Sequence, residues 1–423
     1  MATDVDAQYF SHLNGLTLGN NWGDLIRLLD KALVTGIDFT QITAASIDAQ
    51  GDVHVTLYAA HNAMLFQVVE LSGFAPASLN QKYRIKGVPS TTELILKPQT
   101  AIVETSITTV GTAKLASLGY EIIFRDANDV KRVYRAKNPT AQHPFIRVDE
   151  SLTSPDGTTG VYTSTYAKYA MVGLLEHMEH IDDFENPDVL QLPFNSADPA
   201  KNWKITGTGT TVARGWHRWY WAKGWGNISD SSAPSASNRH FTLCGDKHAF
   251  YLLRAIDTNV QTFKTLVGCG LFNSGGYESV HPNWFLISRN LEINAGTAYF
   301  YNNTPDGSPL MRAEAFGGFY LTKNSVNKIS NSVTGMPILP DYSSGFSNKF
   351  GAQNMGTITV PIYDVDQNLR GSLKHICYAG NKRTLTTTTP IISDSSMYVV
   401  DTAYTFTTTD QSGAFNFYLG ELE

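Results

Sequence analysis

The feature that most constrains this chain is how short and how regularly interrupted its apolar runs are. "DVHVTLYA", "AMLFQVVEL", "QKYRIKGV" and "TELILKP" follow one another between "AHN", "SGFAPASLN" and "PST". Each run is no longer than nine residues, alternates in part and is bounded by Gly, Pro, Asn or Ser. That pattern fits half-buried strands joined by turns and is too short for a chain of long helices. It returns in "HRWYWAKG", "RHFTLCG", "HAFYLLRAI", "KTLVGCGLF", "NWFLISR" and "TAYFYNN", and again in "TITVPIYD", "GSLKHICYAG", "SMYVVD", "AYTFTTTD" and "AFNFYLGEL". The expected fold class is mainly β, with a short N-terminal helix, a small β-barrel-like module and then β-sandwich-type domains.

The helix is read from "NNWGDLIRLLDKALVTG", where Leu25, Leu28, Leu29, Ala32 and Leu33 recur at three- and four-residue steps. Asn21 is placed to cap it and Gly36 to end it. Its apolar stripe needs a cover, so Trp22, Leu25, Leu28, Leu29 and Leu33 form a candidate assembly interface. The organisation that follows is an N-terminal arm and docking helix over 1–40, a small barrel over 41–100 and a β-rich connecting domain over 101–200. A sandwich domain over 201–356 and a C-terminal β region over 357–423 complete it. Within the connecting domain, "LGYEIIFRDANDVKRVYRA" reads as a hairpin whose Arg125, Lys131 and Arg132 suit exposure. "YAKYAMVGLLEHMEHIDDF" reads as a strand running into a helical turn before Asn186-Pro187. The Thr-rich runs Thr384 to Thr389 and Thr405 to Thr409 suit half-wet strand surfaces.

Charge narrows the partners. Charged residues are 17% of the chain, the net charge is −6 and no run of Lys and Arg occurs. The electrostatic footprint of a nucleic-acid binder is missing, so no nucleic-acid partner is expected. The three cysteines, Cys244, Cys269 and Cys377, are odd in number and far apart, against both a disulfide framework and a thiolate cluster. The start "MATDVDAQYFSHLNG" carries no basic, apolar leader, and nowhere do about 18 apolar residues run together. Maturation in a reducing cytoplasm and no membrane insertion are the expectations.

The densest local signal is "RGWHRWYWAKGWG". Strand alternation puts His217, Trp219 and Trp221 on one face and Trp216, Arg218 and Tyr220 on the other. Trp216, Trp219, Tyr220, Trp221 and Trp225 are therefore an aromatic core or a ligand platform; bulk on both faces favours a covered strand, whereas stacking on sugars or bases needs exposed rings on one face. "EHMEHIDD", with His177, Glu179, His180, Asp182 and Asp183, lacks metalloprotease spacing. "DVDQN", Asp364 to Asn368, starts like a calcium loop but has Leu369 where Gly is needed and His375 where Glu should close the shell. "TGTGTT" lacks the third glycine of a dinucleotide fingerprint, and no Gly-x-Ser-x-Gly elbow occurs. No catalytic residue, metal or cofactor is expected, and the chain is read as non-enzymatic.

Several stretches together resemble structural proteins of tailed-bacteriophage virions, in particular tail or baseplate components. They are "LGNNWGDLIRLLDKALVTG", "LSGFAPASLNQKYRIKGVPSTTELILKP", "LGYEIIFRDANDVKRVYR", "FIRVDES", "GWHRWYWA", "GDKHAFYLL" and "LRGSLKHICY". Gly73, Pro76, Leu79, Asn80, Tyr83 and Ile85 follow the order of a turn and strand in the phage module. Gln81 replaces its usual turn glycine, and "MLFQVVEL" lacks the preceding Gly-Asp. The resemblance implies a virion subunit of the tail or baseplate, assembled in the host cytoplasm as a homo-oligomer with other virion proteins. An alternative is a receptor- or glycan-binding protein at the tail tip or capsid surface, which needs Trp216, Trp219, Tyr220 or Trp225 exposed to a host-surface glycan. On the docking-arm reading, deletion of residues 1–40 should leave a folded chain that assembles poorly.

Overall fold

The computed structural model describes residues 3–154, 160–215, 217–224, 230–262, 264–274, 282–289, 317–322, 332–337, 358–364, 367–379, 387–402 and 414–422. Within them the short apolar runs form antiparallel strands, and the mainly β class holds. The expected strand "TAYFYNN" and the run Thr405 to Thr409 lie outside the described residues.

The first sheet has seven strands and curls into a half-barrel. Its spatial order is Ile37–Asp38, Thr112–Leu115, Val68–Ser72, Lys82–Ser90, Glu93–Pro98, Val53–Leu57 and Ile42–Ile47. Alternation decides its faces: Val53, Val55 and Leu57 point into the core, while His54 and Thr56 are half-buried. No described pairing joins the two end strands, so the barrel stays open. The sheet also reaches beyond the expected 41–100 span, to Ile37 and Leu115, because Thr112–Leu115 pairs on both sides. The turn that carried part of the resemblance is a built clamp. Gly73 takes φ +74°, the Asn80 amide accepts from Phe74 N–H (2.8 Å) and donates to Phe74 O (2.9 Å), and Tyr83 donates its hydroxyl proton to Leu79 O (2.8 Å).

The helix runs over Asp24–Leu29 and widens into a π-helical stretch, Asp30–Thr35, closed by Gly36 N–H donating to Lys31 O. The docking role expected of its stripe is corrected. Leu25, Leu28, Leu29 and Leu33 are at most 2% exposed and share one core with Val53, Val55, Leu71 and Leu96 of the half-barrel. The half-barrel's apolar face and this helix cover each other, so Leu25, Leu28, Leu29 and Leu33 have no free area for a neighbour.

The remaining strands build a larger sheet system. Tyr120–Arg125 pairs with Lys131–Ala136, then Phe145–Asp149, Lys168–Leu175 and Arg218–Ala222 follow in order. Arg218 meets Arg289 of Trp284–Arg289, which pairs with Lys264–Leu271, and Ala249–Ala255 and Phe241–Gly245 continue that sheet. The edge partner of Phe241–Gly245 is Gln8–Ser11. Residues 1–40 are thus no separate arm, since they supply a strand to this sheet as well as the helix. Strand pairing likewise crosses the boundaries drawn at 200 and 356, through Lys168–Leu175 with Arg218–Ala222 and Ser332–Pro337 with Ile358–Asp364.

Ile358–Asp364, Leu369–Ala379, Ala414–Glu421, Ser396–Thr402 and Thr389–Ser393 form an outer sheet in that order. In the middle sheet, formed by Gln8–Ser11, Phe241–Gly245, Ala249–Ala255, Lys264–Leu271 and Trp284–Arg289, the residues Tyr9, Cys244, Tyr251, Leu253 and Ile287 pack against Val399, Phe417 and Leu419 of the outer one. The opposite face of the middle sheet, with Phe10, Leu243, Phe250 and Leu252, joins the core of the helix and half-barrel. A sheet covered on both faces explains why all seven residues of Ala249–Ala255 are buried. Lys168–Leu175 is a strand as expected, but the residues after it turn without forming a helix. Arg132, expected on an exposed hairpin, is buried and paired with Asp30 (3.3 Å) and Asp129 (2.5 Å).

Candidate functional site

The aromatic strand is Arg218–Ala222, buried throughout. Its alternation separates two cores as the sequence predicts: Trp219 and Trp221 enter the core shared with the helix and half-barrel, and Tyr220 enters a second one with Tyr169, Met171 and Trp203. Trp219 donates its indole N–H to Ile287 O (3.0 Å) and meets Phe250 edge-on at 5.9 Å. Each ring thus buries large apolar area, and the Trp219 indole also finds a backbone acceptor. Trp216 and Trp225 lie outside the described residues.

Trp22 and the aromatic strand, far apart in sequence, come together. Trp22 stands edge-on to Trp221 at 5.6 Å and to Tyr162 at 5.9 Å, and donates its indole N–H to Ser164 O (2.9 Å). The Arg214 guanidinium lies 5.0 Å from its ring and the Lys168 ammonium 5.2 Å. Of the five proposed interface residues, Trp22 alone keeps some exposure.

Several polar groups around this strand satisfy one another, while the Trp221 indole N–H and Arg218 Nε are buried without a hydrogen-bond partner among the described residues. Asp230 accepts from Tyr220 (3.0 Å) and Arg218 (3.4 Å) and pairs with Lys223. Burial opposes the Arg218 charge, but Tyr169, Tyr220 and Asp230 outweigh it and raise its pKa. Burial, reinforced by the charge of Arg218, lowers His217 to about 3, so it is neutral near pH 7. Tyr220 is raised, first by burial and then by Asp230. Arg214 donates to Ser151 O (2.7 Å), just after the strand Phe145–Asp149, and to Tyr169 O (2.6 Å) in Lys168–Leu175, tying both carbonyls to one cation. These contacts position and neutralise; the titratable groups here already face partners.

Sequence reasoning missed Glu150. Its buried carboxylate accepts from Gly23 N–H and from Ile26 N–H (3.0 Å), so it caps the helix from 127 residues away. Gly23, at φ +85°, holds the cap position, and Asn21, expected there, instead donates its N–H to Asp24 (2.9 Å). Burial raises Glu150 to about 7, against the two amides and Arg214 that favour its charge. Within "EHMEHIDD", Asp182 accepts from Lys131 (2.8 Å) and Arg147 (2.6 Å), while Asp183 accepts from Glu179 N–H (2.7 Å). In "DVDQN", the described Asp364 accepts from Asn368 N–H (2.9 Å) and Arg370 (3.3 Å). The described Asp182, Asp183 and Asp364 spend their carboxylates on neighbours within the chain.

Fold and site together define a mainly β protein whose largest rings join its layers. No protein-family model and no curated protein matches the chain. Among solved structures it is similar to an endosialidase of phage phi92, with a TM-score of 0.16 and 11% sequence identity, over 91% of this chain and 52% of that one. The chain therefore spans about half the length of that protein, and a likeness at this level fixes neither fold nor function.

Proposed function

We propose that the chain is a non-enzymatic structural component of a bacteriophage tail or baseplate, assembled in multiple copies with other virion proteins. The observation that carries this reading is the placement of large apolar side chains. Trp219, Tyr220 and Trp221 are enclosed between layers, with no face open to a stacked sugar. Four of the eight exposed large apolar side chains among the described residues, Tyr58, Val88, Val103 and Val110, lie within the span of the half-barrel. Docking through that module fits this division better than ligand capture by the aromatic strand. The quoted stretches that resemble virion proteins supply the phage context, and with it assembly in the host cytoplasm.

Sedimentation of the full chain beside a screen against host-surface glycans tests the proposal. Multi-copy assemblies that weaken in Tyr58→Ser and Val103→Ser, with no glycan retained, are the expected result. A monomer that holds a specific glycan overturns it in favour of receptor binding.

A further inference from the structure

Lys264 opens the strand Lys264–Leu271 of the middle sheet, and Asp401 lies near the end of Ser396–Thr402 in the outer sheet. These strands do not pair, yet the Lys264 ammonium meets Asp401 Oδ1, with both side chains at 0% exposure. A solvent-free ion pair is costly to desolvate and is often no more stable than a neutral replacement. The surroundings add more than charge balance. Thr402 N–H donates to Asp401 Oδ1 (2.9 Å) and the Thr242 hydroxyl donates to Oδ2 (2.8 Å), so each carboxylate oxygen is polarised by its own donor. From Thr242 a chain of hydroxyls leads outward: Thr388 Oγ1 at 2.6 Å, then Ser11 Oγ at 2.9 Å, then His12 Nδ1 at 3.3 Å. The His12 ring stacks on His240 at 4.0 Å and is only partly buried.

We propose that Lys264 and Asp401 are the site of an autocatalytic amide cross-link joining the middle and outer sheets. Transfer of one ammonium proton to the carboxylate turns the ion pair into an amine and an acid, which removes both buried charges. The amine nitrogen then attacks Asp401 Cγ. Oδ1 becomes the amide oxygen, its developing charge facing Thr402 N–H, as an oxyanion faces a fixed donor. Oδ2 leaves as water through protonation on the Thr242 side, where the hydroxyl chain to His12 exchanges protons with the outside. Two of the three ammonium protons depart with that oxygen and the third stays on the amide nitrogen, so no oxidant or co-reactant is needed. Fixed strands hold nucleophile and electrophile in contact, which replaces a bimolecular encounter. Burial of His12 lowers it to about 4, so near neutral pH the ring at the outer end of the chain is neutral and adds no charge to it. The cysteines Cys244, Cys269 and Cys377 are unpaired, so this bond would be a covalent tie that a reducing cytoplasm leaves intact.

Intact-mass spectrometry of the purified full chain under denaturing conditions decides the matter, followed by peptide mapping. The expected result is a mass one water below that of the sequence, with a branched peptide joining Lys264 to Asp401. Lys264→Arg and Asp401→Ala should each restore the full mass. Thr242→Val should lower the cross-linked fraction several-fold, and Thr242→Ser should recover it. A natively folded wild-type chain at full sequence mass, without the branched peptide, overturns the proposal and leaves an ion pair only. That measurement needs no variant to fold.

Discussion

At the scale of single residues, the molecule depends on large enclosed side chains, some of whose polar ends find partners inside. Trp219 is fully enclosed, and its indole bonds the carbonyl of Ile287 on the paired strand Trp284–Arg289. Trp219→Ala should therefore cost about 3–5 kcal/mol, the range for deleting a buried aromatic. Denaturant unfolding of the two proteins measures it, and a loss below about 1 kcal/mol would mean the ring is not enclosed. Glu150 gives a second prediction, with its sign set by linkage. Its folded pKa, about 7, stands above the ordinary 4.5, so the native state holds the proton more tightly. That contribution is complete below the ordinary value and is lost as pH rises through 7. Between about pH 5 and pH 8 the advantage of wild type over Glu150→Gln should shrink by on the order of 2 kcal/mol in urea titrations. A difference that stays constant across that range would contradict the burial assigned to this carboxyl.

At the scale of elements, what could be read in the sequence was whatever is local. Strand runs such as "DVHVTLYA" and "HAFYLLRAI" were legible because alternation and turn residues lie within each run. The two faces of the aromatic strand were legible for the same reason. The helix itself was legible, but its partner was not: an amphipathic stripe demands a cover without saying whether it comes from the same chain. The half-barrel supplies it, through pairings that reach from Ile37 to Leu115. Glu150 was illegible because no local pattern links "FIRVDES" to the helix start, and Asn21 looked like a sufficient cap. The ion pairs of Arg132 were equally hidden, since Asp30 comes from the helical segment 102 residues earlier. Deletion of residues 1–40 should now abolish cooperative unfolding, because it removes Gln8–Ser11 from the middle sheet and Leu25 to Leu33 from the core. Circular dichroism melts check this, and a truncated chain with a wild-type transition would restore the docking-arm reading.

At the scale of the whole molecule, the middle sheet is packed on both sides, so its stability cannot be assigned to one module. The helix and half-barrel share a core with Phe250 and Trp219, and the outer sheet shares another with Tyr251 on the opposite face of the same strand. Val53→Ala in the half-barrel and Val399→Ala in the outer sheet should therefore lower one common thermal transition in calorimetry. Two separable transitions, each answering to one variant, would show that the layers fold independently. With the rings spent between layers, the proposed docking falls to exposed side chains of the half-barrel such as Tyr58 and Val103. Electron microscopy of phage particles carrying a label on this chain tests that most directly. The account predicts label at repeated positions on the tail or baseplate; particles that are complete yet carry no label would contradict it.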